Sequence, residues 1–281
     1  MSPSTKPAVD SRPARASKSG PRLDVALVER ALVPSRERAQ ALILAGVVRV
    51  DGETERRAAR VVAPERVLSI DQPPRFVSRG GLKLEHALER FDVQVVGLSC
   101  LDAGASTGGF VDCLLQRGAA RVYAVDVGYG QLHWRLREDP RVVVMERMNV
   151  RYLDSLPEQV HLVTADVSFI SLRLVLRTLR RLTVPGAPIV TLIKPQFEAG
   201  RDDVGRGGVV RDTAIHERVL RELVEWGKNH GERLVELTYS PLRGPAGNIE
   251  FLGRWSDQPG DGLADELIRA VVEEGHRGAS A

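Results

Sequence analysis

The sequence predicts an α/β protein whose main domain is Rossmann-like, with a mostly parallel sheet and an antiparallel edge hairpin, preceded by a small α+β domain. Three observations support this class. Apolar strands alternate with amphipathic helices beyond residue 82, the strands are apolar along their whole length, and a glycine-rich turn follows the first of them. The length of 281 residues suits one sizeable core and a small accessory domain.

The amino-terminal quarter of the chain predicts a tail and a compact domain. Residues 1–20 are rich in Ser, Pro, Ala and basic side chains and predict a disordered tail. Residues 21–72 predict the small domain, with one helix from Leu23 and a second over residues 36–44 that Ser35 caps and Gly46 ends. Short strands are expected at residues 47–50, 61–62 and 67–70.

Paired prolines and paired glycines in residues 73–81 predict an interdomain linker. Residues 82–256 then form the main domain, and residues 257–281 form a carboxyl-terminal helix, over 263–274, and a tail. Parallel strands are expected at residues 100–102, 122–126, 142–145, 162–166 and 189–194. Residues 234–237 and 249–252 come close together without an intervening helix, which predicts the hairpin at the sheet edge.

The composition and the residue spacing argue against a metal site and against a membrane span. The net charge is +3, and the pI of about 9.1 is compatible with a phosphate-facing surface. Cys100, Cys113 and the six histidines lack the spacing of a metal site, so no metal is expected. No stretch reaches the roughly 20 apolar residues of a membrane span, and no signal peptide begins the chain. A cytoplasmic protein without membrane contact is therefore predicted.

The turn after the first strand of the main domain predicts a cofactor site. Its residues are Asp102, Ala103, Gly104, Ala105, Ser106, Thr107, Gly108, Gly109 and Phe110. Glycines allow a ligand to approach the backbone, and doubly wound sheets bind ligands at this edge. The spacing differs from the G-x-G-x-x-G of dinucleotide sites and lacks the Lys-Ser/Thr of triphosphate loops. S-adenosylmethionine, which carries no phosphate, is the favoured ligand, and a nicotinamide dinucleotide is the alternative.

Polar residues at the next strand ends extend this site. Asp126, with Val127 beside it, ends the second strand, where a carboxylate can accept hydrogen bonds from a ribose diol. Asn149 follows the third strand and can contact an adenine edge or cap the chain. Asp166 ends the fourth strand beside the expected position of the methyl donor.

Four ionisable residues are candidates for catalysis: Lys83, Asp166, Lys194 and Glu250. Because parallel strand ends meet at one edge, Asp166 and Lys194 should lie close together. Ribose methylation requires a proton to leave the hydroxyl. A lysine, with a reference pKa of about 10.4, accepts it near neutrality only if burial and neighbouring positive charge favour its neutral form. Two structural salt bridges at the sheet edge are the alternative.

At this point the chain resembles the TlyA (hemolysin A) family. The resemblance rests on six ordered motifs, at residues 79–83, 101–110, 126–132, 166–172, 194–198 and 247–250. It implies an FtsJ-like fold that uses S-adenosylmethionine, and a Lys-Asp-Lys-Glu tetrad at Lys83, Asp166, Lys194 and Glu250. It implies methylation of cytidine riboses in 23S ribosomal RNA, and also in 16S ribosomal RNA for longer members.

The resemblance also implies that the first domain is an RNA-binding unit with the alpha-L motif of ribosomal protein S4. Arginines in it are placed to pair with RNA phosphates, at Arg22, Arg36, Arg38 and Arg49, with Arg79 and the loop 200–208 as further candidates. Ribosomal RNA or a ribosomal subunit is thus the expected partner. The oligomeric state stays open, with a monomer favoured.

Two other classes of function are weighed against the enzyme. A non-catalytic RNA-binding or assembly factor would be expected to lose a tetrad residue or a cofactor glycine, and neither is lost. A membrane-lytic protein would need a long apolar segment or a large amphipathic face, which the sequence lacks.

Overall fold

A computed structural model describes residues 20–71, 74–260 and 262–278. The chain divides after Arg75 into two compact units, called here the small unit and the large unit. The predicted tail lies outside the described residues, apart from Gly20.

The small unit contains two helices and a three-stranded antiparallel sheet. Its elements are α1 (Leu23–Glu29), α2 (Arg36–Ala45), β1 (Val48–Val50), β2 (Glu53–Thr54) and β3 (Leu68–Ile70), with the strand order β2-β1-β3. Ser35 caps α2 by accepting a hydrogen bond from the Arg38 backbone N–H, and Gly46 ends the helix with φ +75°. Both caps agree with the prediction from the sequence.

One strand predicted in the small unit is wrong. Val61 forms only an isolated bridge to Arg22, and the second strand of the sheet is instead β2, which begins at Glu53, where no strand was predicted. The turn is confined to Asp51 and Gly52, both with positive φ, which closes a tight hairpin between β1 and β2. Because β2 and β3 occupy both edges of β1, no edge of that strand remains for Val61.

The large unit is built on a seven-stranded sheet. Its strands are β4 (Ser99–Ala103), β5 (Arg121–Val125), β6 (Val142–Met145), β7 (Leu162–Ala165), β8 (Ile189–Ile193), β9 (Arg233–Tyr239) and β10 (Phe251–Ser256). The order is β6-β5-β4-β7-β8-β10-β9; the first five strands are parallel, and β10 is antiparallel to both neighbours. The predicted fold class is confirmed. The last strand begins at Phe251, so Glu250 precedes it rather than lying within it.

Helices cover both faces of the sheet. They are α3 (Gly80–Arg90), α4 (Gly109–Gln116), α5 (Trp134–Arg137), α6 (Leu176–Arg181), α7 (Pro195–Glu198), α8 (Thr213–His230) and α9 (Asp265–Gly278). Successive residues of β4 belong to different cores: Cys100 packs with α3 and α4, and Leu101 packs with α6, α8 and α9. This alternation explains why the strands are apolar along their whole length.

The paired glycines that predicted a linker belong to a helix instead. Helix α3 begins at Gly80, and a Cβ on Gly81 would lie 2.2 Å from the ring of Phe76. A Cβ on Gly109 would lie 2.2 Å from Ser78 Oγ and 2.8 Å from the Gly81 backbone nitrogen. The glycines therefore allow α3 and α4 to pack closely, and the predicted linker is too long at its carboxyl-terminal end.

The carboxyl-terminal helix predicted at residues 263–274 is α9, which packs on α8 and β9. Gly275 faces Tyr239 and Ile249, where a Cβ would lie 3.1–3.2 Å from their side chains. Within the described residues, no helix is both long and apolar enough to cross a bilayer.

Candidate active site

The turn after β4 brings two strand ends together. Gly104 has φ +86°, and a Cβ there would lie 2.5 Å from the backbone carbonyl oxygen of Asp166. The sequence suggested that this glycine makes room for a ligand. The structure shows that it also makes room for the strand end that carries Asp166.

A cleft of about 950 Å³ opens at the carboxyl ends of the parallel strands, a size typical of cofactor sites. Six of the predicted cofactor residues line it: Gly104, Ser106, Asp126, Val127, Asn149 and Asp166. A smaller cavity of about 90 Å³ shares Gly104, Ser106 and Asp166 with the cleft. It adds the predicted residues Ala105, Thr107, Gly109 and Phe110.

The carboxylate of Asp126 is fixed at the cleft wall by backbone donors. It accepts hydrogen bonds from the Ser106 N–H at 2.8 Å and from the Gly128 N–H at 2.6 Å, one on each oxygen. Each oxygen retains a lone pair for a further donor. Such a group can accept hydrogen bonds from the hydroxyls of a ligand ribose.

Asn149 has a structural role that the sequence left open. Its Oδ1 accepts a hydrogen bond from the Arg151 N–H at 3.0 Å and caps the 3₁₀ turn Val150–Tyr152. The residue also lines the cleft, so capping and ligand contact are compatible.

Asp102 and Gly108, both predicted cofactor residues, line neither the cleft nor the smaller cavity. Asp102 is fully buried in β4, where its carboxyl accepts a hydrogen bond from Thr164 Oγ1 at 2.7 Å, and burial raises its pKa to about 8. Its second oxygen, Oδ2, has no hydrogen-bond partner among the described residues. Gly108 lies at the start of α4 with φ +99°, where a Cβ would collide with Leu132 and Leu136.

The four predicted catalytic residues form two ion pairs. Lys83 Nζ lies 2.5 Å from Glu250 Oε2, and Lys194 Nζ lies 2.6 Å from Asp166 Oδ1. Burial raises the pKa of Glu250, an effect that Lys83 and Lys194 oppose and Asp166 reinforces. Since both members of the second pair act on Glu250, the two pairs lie within electrostatic range of each other.

Each lysine is held differently. The Lys83–Glu250 pair is enclosed, with side chains 10% and 1% exposed. Lys194 Nζ donates to Ser168 Oγ at 2.8 Å as well as pairing with Asp166, and both of these partners line the cleft. Of the two lysines, Lys194 is therefore the one whose amine contacts residues of the cleft wall.

Hydrogen bonds between two loops position Glu250. Its Oε1 lies against Gly244, where a Cβ would be 2.5 Å away, and the Gly244 N–H donates to the Asn248 carbonyl. The amide of buried Asn248 accepts from the Val210 N–H at 2.9 Å and donates to the Gly208 carbonyl at 2.8 Å. The segment that carries Glu250 is thus joined to the glycine-rich loop after β8.

The prediction from sequence missed aromatic residues at the cleft. Phe169 is 91% exposed at φ +62°, and its ring centroid lies 5.0 Å from that of Phe197. Both rings line the cleft near Lys194. An aromatic residue three positions after Asp166 was the available signal, but the sequence could not show that its ring is exposed.

Three of the five arginines predicted to bind RNA already have carboxylate partners. Arg22 and Arg36 both pair with the buried Asp24, at 3.0 and 3.1 Å, and Arg49 pairs with Asp71 at 2.8 Å. The other two, Arg38 and Arg79, are exposed. The described residues contain no cluster of three or more His, Cys, Asp or Glu side chains suited to hold a metal ion.

Comparison with known proteins identifies both parts of the chain. The FtsJ-like methyltransferase family matches residues 76–254, and the S4 domain matches residues 21–68. The Bacillus subtilis protein "Putative rRNA methyltransferase YqxC" is 48% identical, with 91% of this chain and 94% of that protein aligned. The "16S/23S rRNA (cytidine-2'-O)-methyltransferase TlyA" of Mycobacterium tuberculosis is 47% identical, over 90% and 97% of the two chains.

A solved structure extends the likeness to three dimensions. "Putative hemolysin from Streptococcus thermophilus" is 40% identical with a TM-score of 0.71, and the match covers 93% of this chain and 97% of that one. The chain belongs to the FtsJ-like methyltransferase family, among the proteins named TlyA, as its six motifs predicted.

Proposed function

We propose that the protein transfers a methyl group from S-adenosylmethionine to the ribose 2′-hydroxyl of a cytidine in ribosomal RNA. The observation that carries the proposal is the pairing of Lys83 with Glu250 and of Lys194 with Asp166 beside the cleft. The Mycobacterium tuberculosis relative acts on 16S and 23S rRNA by its name, and we extend both substrates to this chain. Such a substrate implies a cytoplasmic enzyme.

The cleft fits S-adenosylmethionine in size and in the chemistry of its walls. Asp126 is suited to the ribose diol, Asn149 to the adenine edge, and Ile170 and Leu174 to the faces of the base. The carboxylate of Asp166 is suited to lie near the positive sulfur. When bound, this cofactor supplies an electrophilic methyl group.

The tetrad then acts on the substrate hydroxyl. Once its ammonium has released a proton to solvent, Lys194 would accept the 2′-hydroxyl proton as the oxygen takes the methyl group, and Asp166 with Ser168 would keep the amine in position. Asp166 also stabilises the ammonium, so proton transfer requires that substrate binding weaken this pair. Lys83, held by Glu250, is the second cation near the Lys194–Asp166 pair.

The aromatic pair at the mouth of the cleft suits a nucleotide substrate. Phe169 presents an exposed face on which the target base can stack, supported from behind by Phe197. The small unit supplies RNA affinity through exposed cations such as Arg38.

The test is methyl transfer from labelled S-adenosylmethionine to purified 16S and 23S rRNA, with the modified nucleotide mapped. Lys194→Ala should lower turnover by about 10²–10⁴-fold, the usual contribution of a positioned acid or base. Calorimetry should show unchanged cofactor affinity, because Lys194 is assigned to the proton. Lys228→Ala, an exposed lysine on α8, is the control and should behave as wild type.

Two outcomes would contradict the proposal. Turnover of Lys194→Ala near the wild-type rate would show that another group accepts the proton. A label found on a base, or no label on cytidine ribose with the wild-type protein, would overturn the substrate assignment.

A further inference from the structure

A row of exposed side chains leads away from the cleft along α6. Leu174 lines the cleft and is half exposed, and Arg177 and Arg181 follow it at intervals of three and four residues. This spacing places all three on one face of the helical segment. The opposite face is buried through Leu176 and Leu179.

Among the described residues, Arg177 and Arg181 have no partner, unlike their neighbour Arg180. Arg180 is nearly buried and holds Glu232 with three hydrogen bonds at 3.0–3.1 Å. Neither Arg177 nor Arg181 forms an ion pair or a side-chain hydrogen bond with the described residues. Helix α6 is therefore secured by one arginine, and two others extend into solvent.

A second segment continues this surface. The 3₁₀ turn Val150–Tyr152 is joined to α6 because Thr178 Oγ1 donates to the Arg151 carbonyl at 3.2 Å. Arg151 lines the cleft, and its guanidinium lies 5.6 Å from the ring of Tyr152, which is 70% exposed. Asp154 adds one exposed carboxyl group to this segment, against the three arginines.

We propose that Arg151, Tyr152, Arg177 and Arg181, called here the arginine track, bind the RNA strand that flanks the target nucleotide. Guanidinium groups pair with phosphates at any sequence, and an exposed tyrosine beside an arginine offers a stacking face for any base. The track begins at the cleft wall, so an RNA whose ribose occupies the cleft can continue onto it. This inference rests on the proposed function for the identity of the substrate.

The test uses the full chain and two double variants of equal charge change. Arg177→Gln/Arg181→Gln removes two cations of the track with a residue that favours helix. Lys228→Gln/Arg269→Gln removes two exposed cations of α8 and α9 and is the matched control. Binding of protein-free 23S rRNA is measured from 0.05 to about 0.3 M salt, together with KM and kcat for methyl transfer.

Each lost phosphate contact to a single strand removes about 0.7 from the slope of log affinity against log salt. The track variant should therefore lose about 1.4 in slope and about tenfold in affinity at roughly 0.15 M salt. KM for RNA should rise in parallel, whereas kcat and S-adenosylmethionine affinity stay unchanged. Tyr152→Ala should weaken binding at least about fivefold, and Tyr152→Phe, which keeps the ring, should not.

Equal slopes for the track variant and the control would overturn the inference, since charge alone would then explain the effect. A loss seen with assembled subunits but not with protein-free rRNA would also overturn it, because the partner would be a ribosomal protein. If the wild type binds rRNA with the expected difference between variants but transfers no methyl group, the track stands and the proposed function fails.

Discussion

The pKa values of several buried carboxylates shift in opposite directions in the two units. In the small unit, Asp24 and Glu55 are each held by two guanidinium groups, which keep the pKa of Asp24 far below its usual value and lower that of Glu55 to about 2. In the large unit, burial raises the pKa of both Asp102 and Glu250. In the small unit, arginines thus more than offset the cost of burying these two carboxylates. In the large unit, the interactions of Asp102 and Glu250 do not offset that cost.

This difference reflects the role of charged side chains in each unit. The arginines of the small unit connect α1, α2 and the following loop through carboxylates, so they hold together a unit with a small core. In the large unit the extensive apolar core sustains the fold, and it can tolerate unfavourable carboxylates beside the cleft. Perturbed pKa values of this kind are typical of functional sites.

The largest expected effect concerns Asp24. Arg22→Gln/Arg36→Gln leaves this buried carboxylate without its two cations. Breaking a fully buried pair costs about 3–5 kcal/mol, and solvent screening of these half-exposed guanidinium groups lowers that figure. We expect the small unit to lose most of its stability. Amide hydrogen exchange in α1 and α2 of the full chain measures the loss, and α8 of the large unit should remain protected.

A matched control separates stability from RNA binding. Arg38→Gln removes an exposed cation from the same helix, α2, and should leave exchange unchanged. Unchanged protection in the Arg22→Gln/Arg36→Gln variant would show that Gln40, which also donates to Asp24, suffices. Weak RNA binding by that variant is not evidence for phosphate contacts unless its fold persists, because these arginines are structural in the free protein.

The sequence was sufficient wherever local pattern determines structure. Residues 142–145 were predicted as the strand that they form, since an unbroken apolar run bounded by charged residues suits a parallel sheet. Ser35 and Gly46 were recognised because capping depends on one side chain and one φ angle. The meeting of Asp166 with Lys194 followed from topology alone.

The predictions from sequence were wrong where the role of a residue depends on contact with a residue far away in the chain. The paired Gly80 and Gly81 predict a linker, because their sequence does not reveal the ring of Phe76 against Gly81 or the ring of Phe110 beside Gly80. Asp102 looked like a ligand residue, since burial beneath the turn cannot be read from its position in a motif. Arg22 and Arg36 looked available to RNA because their common partner, Asp24, is specified only by the packing of α1 on α2.

A pH-dependent effect is expected from the buried carboxyl of Asp102. Because its folded pKa, about 8, lies above the unfolded value of about 4, it stabilises the fold fully below pH 4. That contribution is lost as pH rises toward 8, by at most about 1.4 kcal/mol per pH unit. Asp102→Asn removes this dependence, so the stability of the variant relative to wild type should increase from pH 5 to pH 8.

Urea unfolding at several pH values measures this trend. The asparagine amide would occupy the site of Oδ2, which has no partner, and should cost about 1–3 kcal/mol at every pH. Only the pH-dependent part is therefore diagnostic. A constant difference between variant and wild type would mean that Asp102 titrates normally, and the contrast between the two units would rest on Glu250 alone.

The smallest effect concerns Glu55. Its folded pKa of about 2 lies below the unfolded value of about 4.3, so its pairs with Arg57 and Arg60 stabilise the small unit above that value. The contribution disappears as pH falls toward 2. Because the Arg57 guanidinium is largely exposed, solvent screening reduces it to on the order of 1–2 kcal/mol.

Glu55→Gln should therefore lower protection of α1 and α2 at pH 6 and make no difference near pH 2, once exchange rates are corrected for intrinsic pH dependence. Arg57→Gln should give a fraction of the same loss, because Arg60 continues to pair with Glu55 at 2.7 Å. Glu65→Gln changes an exposed carboxyl of the same unit and should have no effect at either pH. If wild type and Glu55→Gln lose protection in parallel on acidification, Asp24 alone accounts for the acid sensitivity of the small unit. Stabilisation of a buried carboxylate by paired arginines would then be a property of the Asp24 site rather than of the whole unit.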